Sequence, residues 1–506
     1  LFFLMIRRPP RSTLFPYTTL FRSDTQGEKV YYGNYEFDKE CITNRDRMFD
    51  CPQNLREEEM FEVPEWAANK VVYQIFPSRF AATEPVDKEL WYKAPITPMD
   101  DLHGNLRGII EHMDDIQNLG IDVLYMTPIF QSNSCHKYDT TDYYQIDPSF
   151  GTTEDLKELV QKAHERGMKV VLDAVYNHTG REFFAFADIL ENGEKSKYRD
   201  WYFIDGFPLK SEWGEIPNFK CFGYYGGMPK LNLKNPEVEK YITDVACYWI
   251  KECDIDGWRL DVGDEISHFF WKNFRKAVKA VKKDMLIIGE IWHYAGDFLE
   301  GDEWDTVMNY PFYLNLIDLL ADEKITVSQF VQNLGYLKGR LHKNCYPLMW
   351  NLIDSHDTAR FLHLCNDNKK KQHLAAAFQL LLPGMPMIYY GDEYAMPGAN
   401  DPDCRRGMYW DEEYQDKEMY EWYKRLIQVR KSHACIVEGE LAGSVTEDEE
   451  GTIVLIRKNG EETIAMIFNC SSSAKKFNEY TQKYNLLTEN TFDGNVEGFD
   501  AAVIVL

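Results

Sequence analysis

Short apolar runs rich in β-branched residues alternate with longer stretches of helical periodicity from about residue 71 to residue 432. The eight runs are VVYQIFP at 71–77, DVLYMTP at 122–128, MKVVLDAV at 168–175, IDGWRLDV at 255–262, MLIIGEIW at 285–292, DTVMNY at 305–310, LMWNLID at 348–354 and MPMIYYGDE at 385–393. Strands that are covered by helices read as continuous apolar runs, whereas strands with one exposed face alternate apolar and polar residues. The pattern therefore predicts an α/β fold, a parallel (β/α)8 barrel over residues 66–432.

Two other regions depart from this alternation. About sixty residues rich in aromatic residues, Gly and Pro separate the third strand from a helix that begins at Asn235. A structureless loop of that length is improbable in a compact domain, so we expect an inserted subdomain at about 179–234, over the barrel mouth. Alternating patterns such as TIVLIRK at 452–458 predict a C-terminal antiparallel β domain over residues 433–506.

The first residues of the chain differ in character from everything that follows. Residues 1–23 contain four Arg and no acidic residue, and their short apolar run precedes the basic residues, unlike a secretory signal. We expect this segment to be non-native. Residues 24–65 contain one strand-like piece, KVYYGNYEF at 29–37, and are expected to be the remnant of an N-terminal β domain with a linker.

Composition narrows the range of partners. A formal charge of −26 and the lack of long basic runs disfavour nucleic acid and anionic membranes, so a neutral or small substrate is expected. No stretch approaches about eighteen uncharged apolar residues, so no transmembrane helix is predicted. The 11 cysteines show no CxxC pair, which predicts free thiols in a reducing compartment and a cytoplasmic location.

Polar residues stand at the ends of several predicted strands. They are Asp173, His178, Arg259, Asp261, Glu290, His356 and Asp357. Active residues of such barrels come from the C-terminal strand ends, and charged side chains are rarely buried there unless they are paired or functional. We expect these side chains to meet at one rim.

Three carboxyl groups with one Arg and two His fit glycoside hydrolysis. That reaction needs a carboxylate at the anomeric carbon and a carboxylic acid of raised pKa at the leaving oxygen. Arg259, two residues before Asp261 on the same strand face, is expected to keep Asp261 ionised. Crowding by the other acids is expected to keep Glu290 protonated.

Four motifs extend this interpretation. VVLDAVYNH at 170–178, GWRLDVGDE at 257–265, IIGEIWH at 287–293 and NLIDSHDTARF at 351–361 resemble, in order, the four signature regions of the α-amylase superfamily. MPKLN at 228–232, HKYDTTDY at 136–143 and NDPDCRRGMYW at 400–410 resemble its neopullulanase, cyclomaltodextrinase and maltogenic amylase group. The resemblance covers about residues 66–506.

The resemblance implies a role for each matching residue. It makes Asp261 the nucleophile, Glu290 the general acid/base and Asp357 the residue that stabilises the distorted transition state. It also implies a set of substrate-binding residues, namely Tyr138, Asp173, His178, Arg259, Trp292, His356, Asp401 and Arg405. Trp292 has two alternative interpretations, packing in the barrel mouth and stacking on substrate. The implied reaction is retaining cleavage of α-1,4 and also α-1,6 glucosidic bonds in cyclodextrins, maltooligosaccharides, pullulan or starch, with the Asp261 and Glu290 carboxyls about 5 to 5.5 Å apart.

Some positions depart from the group. Relatives usually read VANE where this chain has Val262, Gly263, Asp264 and Glu265, and Cys135 stands where Asn is common. Both changes are expected near acceptor subsites, which leaves the balance between hydrolysis and transglycosylation open. Some relatives bind calcium after the first strand, but FAATEPVDKELW at 80–91 has few adjacent oxygen ligands, so no metal and no other cofactor is expected. The group's N-terminal domain serves dimerisation; KVYYGNYEF resembles its last strand, so a homodimer is expected where that domain is present.

Two other functions compete with the hydrolase. A catalytically silent barrel could act as an interaction partner of a membrane protein, although the intact acids at 261, 290 and 357 disfavour it. A zinc-dependent hydrolase could use His178, Asp261 and His356, but the chain lacks an HxH pair on an early strand and a Cys/His cluster at ligand spacing.

Overall fold

Eight parallel strands form a barrel in the structure, which is a computed structural model. It describes residues 61–211 and 216–506, Glu40, and the backbone of five short strands before residue 51. The barrel strands are β1 Val72–Ile75, β2 Val123–Met126, β3 Lys169–Ala174, β4 Gly257–Leu260, β5 Leu286–Gly289, β6 Thr306–Val307, β7 Trp350–Asn351 and β8 Met385–Tyr389. Each lies inside one of the predicted apolar runs, so the predicted barrel is confirmed.

The strands follow one another around the barrel in chain order. Neighbouring strands pair in the order β6, β5, β4, β3, β2, β1, β8, β7, and a parallel bridge between Met308 and Trp350 joins the two ends. The register sets Asp173 beside Arg259 and Arg259 beside Ile288. Because the strands are parallel, their C-terminal ends meet at one rim.

Helices precede, connect and follow the barrel strands along the chain. They are Pro77–Phe80, Lys88–Trp91, Leu106–Glu111, Met113–Leu119, Thr153–Glu165, Phe184–Asn192, Pro236–Cys253, His268–Val281, Tyr310–Leu316, Val327–Arg340, Phe361–Leu364, Lys369–Leu381, Lys417–Ser432 and Cys435–Glu438, with a π-helical turn at Ile317–Ala321. Their starts follow local chemistry. Thr152 and Asp155 form a reciprocal capping box before the helix Thr153–Glu165.

Two segments inserted after barrel strands lie at the C-terminal rim. A hairpin of Phe130–Ser132 and Thr140–Ile146 follows β2. After β3 comes the inserted segment, which contains the helix Phe184–Asn192 and is joined to the end of β3 by an antiparallel bridge between His178 and Lys230. The inserted structure expected after the third strand is therefore present.

The C-terminal residues form a six-stranded antiparallel sheet. Its order is Glu440–Glu447, Thr452–Asn459, Glu462–Asn469, Asp500–Val505, Tyr484–Asn485 and Asn490–Thr491. The sheet and the barrel belong to one compact unit, residues 62–506. All nine cysteines in the described part of the chain are free thiols. No helix among the described residues is long and apolar enough to cross a membrane.

Little of the N-terminal region is described. Short strands occur at Tyr17–Thr18, Leu20–Ser23, Lys29–Tyr32, Phe37–Asp38 and Phe49–Asp50. Lys29–Tyr32 falls within the strand-like piece at 29–37, and Phe37–Asp38 begins at its last residue. The expectations that residues 1–23 are non-native and that residues 24–65 are a domain remnant otherwise lie outside the described residues.

A buried arginine in the helix Lys417–Ser432 bonds to the turn before β8. Replacing it tests how much these bonds contribute to stability. Arg430 is fully buried and donates to the carbonyls of Leu380 at 2.7 Å, Leu382 at 3.0 Å and Gly384. Arg430→Met would leave these carbonyls without their donor, so we expect the free energy of unfolding to fall by about 2–4 kcal/mol. Urea unfolding measures it.

The neighbouring lysine is the matched control. Lys431 has 34% of its side chain exposed and pairs with Asp122 at 2.8 Å. Because partly exposed ion pairs contribute little, Lys431→Met should change stability by less than about 1 kcal/mol. Equal losses for the two variants would contradict this prediction.

Candidate active site

One arginine lies at the centre of the C-terminal rim. The side chain of Arg259, on β4, is fully buried. Its Nη1 donates to Asp261 Oδ1 at 3.0 Å and to both oxygens of Asp173 at 3.2 Å. Its Nη2 lies 2.9 Å from Glu290 Oε1, without the angle of a hydrogen bond, and 3.9 Å from Asp357 Oδ2. The ends of β3, β4, β5 and β7 thus place four carboxyl groups around one guanidinium.

This excess of acids raises pKa values. Burial raises the pKa of Asp173 to about 6, although Arg259 opposes the rise. Burial, followed by the charge of Glu290, raises the pKa of Asp261 well above its usual value, and Arg259 lowers it by less. Burial also raises the pKa of Glu290, with Arg259 again opposing and Asp357 adding to the rise.

These shifts bear on two predictions about ionisation. Arg259 lowers the pKa of Asp261, as the prediction that it keeps this carboxyl group ionised requires, although burial and the charge of Glu290 raise that pKa by more. The expected rise in the pKa of Glu290 is confirmed, but its main cause is burial and crowding by Asp357 is smaller.

Both oxygens of Glu290 are held by neighbouring donors. The backbone N–H of Val262 donates to Oε2 at 2.9 Å, and the indole N–H of Trp292 donates to Oε1 at 3.3 Å. Val262 adopts φ +46° and ψ +44°, in the left-handed region that β-branched residues rarely occupy. The strained residue after Asp261 therefore aims its amide at Glu290.

A chain of side-chain hydrogen bonds crosses the rim. The amide Nε2 of Gln74, on β1, donates to His356 Nδ1 at 2.7 Å, so His356 carries its proton on Nε2. That nitrogen lies 2.5 Å from the Tyr138 hydroxyl, which donates to Asp173 Oδ2 at 3.0 Å. The ring planes of Tyr138 and His356 are parallel within 1°. Burial lowers the pKa of His356 well below its usual value, which keeps this ring neutral.

His178 faces the same tyrosine from the other side. Its Nε2 donates to the backbone carbonyl of Tyr138 at 3.1 Å, and its Nδ1 is buried without a hydrogen-bond partner. Burial lowers the pKa of His178 to about 4. Its ring stacks on Phe222 of the inserted segment at 5.3 Å between centroids, and Phe222 keeps 36% of its surface exposed. The inserted segment thus presents an aromatic ring at the rim.

A second arginine reaches the cluster from the loop after β8. Arg405 Nε donates to the carbonyl of His356 at 2.8 Å, and Nη2 lies 3.5 Å from Asp357 Oδ1. Its Nη1 pairs with Asp401 at 2.8 Å. Asp357 keeps 30% of its side chain exposed and Asp401 keeps 49%, so this side of the cluster opens to solvent.

Trp292 lies beside Glu290, to which its indole N–H donates. Its ring stacks on Tyr310 with centroids 4.0 Å apart and planes within 14°, and 42% of its surface is exposed. One face therefore packs on Tyr310, while the residue as a whole is not buried in the barrel mouth.

The structure brings together every residue that the sequence singles out for this site. The eleven are Tyr138, Asp173, His178, Arg259, Asp261, Glu290, Trp292, His356, Asp357, Asp401 and Arg405, and each contacts at least one other directly. Sequence reasoning missed Gln74, Tyr125, Val262, Phe222 and Tyr310. A polar residue inside the apolar run at 71–77 was the one available signal for Gln74. Tyr125 donates to Asp173 at 2.6 Å and is hidden in an ordinary strand pattern.

No group of three or more His, Cys, Asp or Glu in the described residues is arranged to hold a metal ion. In the loop after β1, Asp87 instead caps the helix Lys88–Trp91 by accepting from two backbone N–H groups. The two histidines of the zinc hypothesis each bond to Tyr138, through its hydroxyl or its carbonyl.

Comparison with known proteins identifies related chains. The profile of the α-amylase family, described as "Alpha amylase, catalytic domain", matches residues 74–439. A cyclomaltodextrinase from Geobacillus thermopakistaniensis is 45% identical over 452 residues, which are 88% of this chain and 76% of the relative. Neopullulanase 2 from Thermoactinomyces vulgaris is 42% identical over 450 residues, which are 88% of this chain and 76% of that protein.

A solved structure agrees with these matches. The structure of a cyclomaltodextrinase superposes with a TM-score of 0.87 at 37% identity, covering 97% of this chain and 87% of the other. The fold is therefore shared with that protein, and the aligned relatives are 37–45% identical to this chain.

The raised pKa of Asp173 predicts a dependence of stability on pH. An unfolded Asp has a pKa near 3.9 and the folded one about 6, so protonated Asp173 stabilises the fold fully below about pH 4 and this contribution disappears as pH rises through about 6. Asn at this position cannot ionise. Between about pH 4 and pH 7, we expect the free energy of unfolding of wild type to fall by on the order of 2–3 kcal/mol relative to that of Asp173→Asn.

Urea unfolding at four pH values checks this. Asp256 is a suitable control because its contacts with His164, Lys169 and Lys282 lower its pKa instead. The stabilisation by ionised Asp256 is lost only as pH falls below about 4. The difference in free energy of unfolding between wild type and Asp256→Asn should therefore stay constant between about pH 4 and pH 7. A flat Asp173→Asn difference would contradict the prediction.

Proposed function

The chain belongs to the α-amylase family, and we propose that it is a retaining α-glucan hydrolase in which Asp261, Glu290 and Asp357 carry the reaction. Cleavage of α-1,4-glucosidic bonds is the proposed main reaction, with α-1,6 bonds and transglycosylation as further activities. Cyclodextrins, maltooligosaccharides, pullulan and starch are the proposed substrates, since relatives are named cyclomaltodextrinase and neopullulanase.

The observation that carries this proposal is the shared contact with Arg259. Asp261 and Glu290 each place an oxygen within 3.0 Å of the same guanidinium, so the two carboxyl groups flank one point of the rim. A glycosidic bond at that point would have a carboxyl group beside the anomeric carbon and another beside the leaving oxygen.

We assign the chemical steps as follows. Asp261 Oδ attacks the anomeric carbon while Glu290 gives its proton to the departing oxygen, which forms a glycosyl ester. Glu290 then takes a proton from water, whose oxygen attacks the anomeric carbon and releases Asp261. Asp261 attacks as a carboxylate, a form that Arg259 favours because its charge, 3.0 Å from Asp261 Oδ1, lowers the pKa of that carboxyl group.

The remaining residues would bind the sugar. Asp357, whose side chain is part exposed, would hold hydroxyl groups of the distorted ring. His178 has an unpartnered Nδ1 that can bond to a sugar hydroxyl, and His356 would share its Nε2 proton between the Tyr138 hydroxyl and the sugar. Tyr138 offers a ring face. Asp401 and Arg405 would contact the next sugar, and Trp292 the leaving side.

Cellular location and oligomeric assembly are two further proposals. The nine described free thiols favour a reducing compartment and hence the cytoplasm. A homodimer remains a prediction. The silent barrel has no observation in its favour, because all three acids stand at one rim with Arg259.

Product analysis tests the proposed function. Wild type should release reducing sugar from β-cyclodextrin, starch and pullulan in parallel reactions, resolved by chromatography. Glu290→Gln should lower kcat by about 10²–10⁴-fold while oligosaccharide binding persists, because the acid is removed and the pocket is not. Asp261→Ala should also stop turnover, since no glycosyl ester can form.

Glu462→Gln is the matched control. Glu462 begins a strand of the C-terminal sheet and pairs with His433 at 2.7 Å, so this variant should keep the wild-type rate. Wild-type turnover by Glu290→Gln, or no hydrolysis by wild type of any of the three glucans, would refute the proposal.

The stereochemistry of the product is a separate test. Two successive displacements at the anomeric carbon return the original configuration, so the first product should be the α-anomer. Proton NMR during the first minutes of hydrolysis, before mutarotation, distinguishes the anomers. Initial release of the β-anomer would mean that water attacks directly and that Asp261 is not a nucleophile.

A further inference from the structure

Trp304 is a buried aromatic residue directly behind the rim. It lies between β5 and β6 and is fully buried. Its ring stacks on Phe298, with centroids 4.1 Å apart and planes within 5°, and meets Trp271 edge-on at 6.0 Å. Because these rings enclose it, the indole has little room to move.

Two glycines face this indole. Gly263 comes two residues after Asp261, and Gly289 immediately precedes Glu290. A β-carbon on Gly289 would overlap the six-membered ring of Trp304, and a β-carbon on Gly263 would lie 2.8 Å from Cζ2. The indole therefore fills the space between the chain segment that carries one acid and the segment that carries the other.

The segment after Asp261 is also linked to Glu290. The indole N–H of Trp271 donates to the carbonyl of Gly263 at 2.9 Å. Val262, between Asp261 and Gly263, donates its N–H to Glu290 Oε2 at 2.9 Å. A shift of Gly263 would therefore change the position of the amide that holds Glu290.

We propose that Trp304 is a positioning residue, whose indole ring sets the separation of the Asp261 and Glu290 carboxyl groups by wedging between Gly263 and Gly289. This inference rests on the roles proposed for the two acids. The separation of the two carboxyl groups matters for the rate, since a displacement of about 1 Å in a reacting group can reduce the rate about 100-fold.

A pair of substitutions tests the wedge. Gly263→Ala should push the segment away from the indole and lower kcat on maltotriose by about tenfold or more, with KM within about twofold. Trp304→Phe removes the part of the ring that the new methyl group would meet. The double variant should therefore recover most of the lost kcat, whereas Trp304→Phe alone should lose less than Gly263→Ala.

Controls separate positioning from folding. Gly335, in the helix Val327–Arg340, has nothing within 4 Å of an added β-carbon, so Gly335→Ala should keep the wild-type kcat and should not lower the melting temperature. Should Gly263→Ala fail to fold, Trp304→Leu is the second variant, with a lower kcat and little change in KM expected. Wild-type kcat in Gly263→Ala, or a double variant no better than Gly263→Ala, would overturn the wedge.

Crystal structures of wild type and Gly263→Ala provide a readout that does not depend on activity. The separation of the two carboxyl groups should change by about 0.5 Å or more, the tolerance of a productive site. An unchanged separation would overturn the inference. A wild type that hydrolyses no glucan would contradict the proposed function alone, because the crystallographic comparison still tests the wedge.

Discussion

A single buried cation surrounded by four acids is the constraint on which the rim depends. Three of these carboxyl groups, those of Asp173, Asp261 and Glu290, are almost completely removed from water, and Arg259 can neutralise only one of them. The cluster therefore keeps protons at pH values where exposed carboxyl groups have lost them. A carboxylic acid of raised pKa is what acid catalysis of glycoside cleavage needs, so the charge imbalance would serve the reaction that we propose as well as cost stability.

The sequence predicted the architecture well because its signal is local. Each barrel strand lies within an apolar run, and parallel strands bring their polar ends to one rim whatever the detailed contacts are. The carboxyl groups at 261 and 290 could therefore be placed together from the chain alone. Their relative ionisation could not, because it depends on how completely each is buried.

Contacts between distant parts of the chain escaped prediction. Gln74 bonds to His356, 282 residues away, and nothing in either local pattern specifies that pair. Val262 reads as an ordinary strand residue, yet it takes a left-handed conformation that only the surrounding structure can impose. The inserted segment was foreseen from its length, but not the ion pair at 2.6 Å that joins its Lys230 to Glu265. These features arise from tertiary packing.

The hydrogen-bond chain from β1 through Tyr138 has a consequence for affinity. The hydroxyl of Tyr138 contacts His356 and Asp173, and its carbonyl accepts from His178, so the ring has its final orientation before any ligand arrives. Immobilising a free side chain would otherwise subtract about 0.5–1.5 kcal/mol from association. A glucose unit bound at Tyr138, as we propose, would meet a surface whose conformational entropy has already been lost during folding.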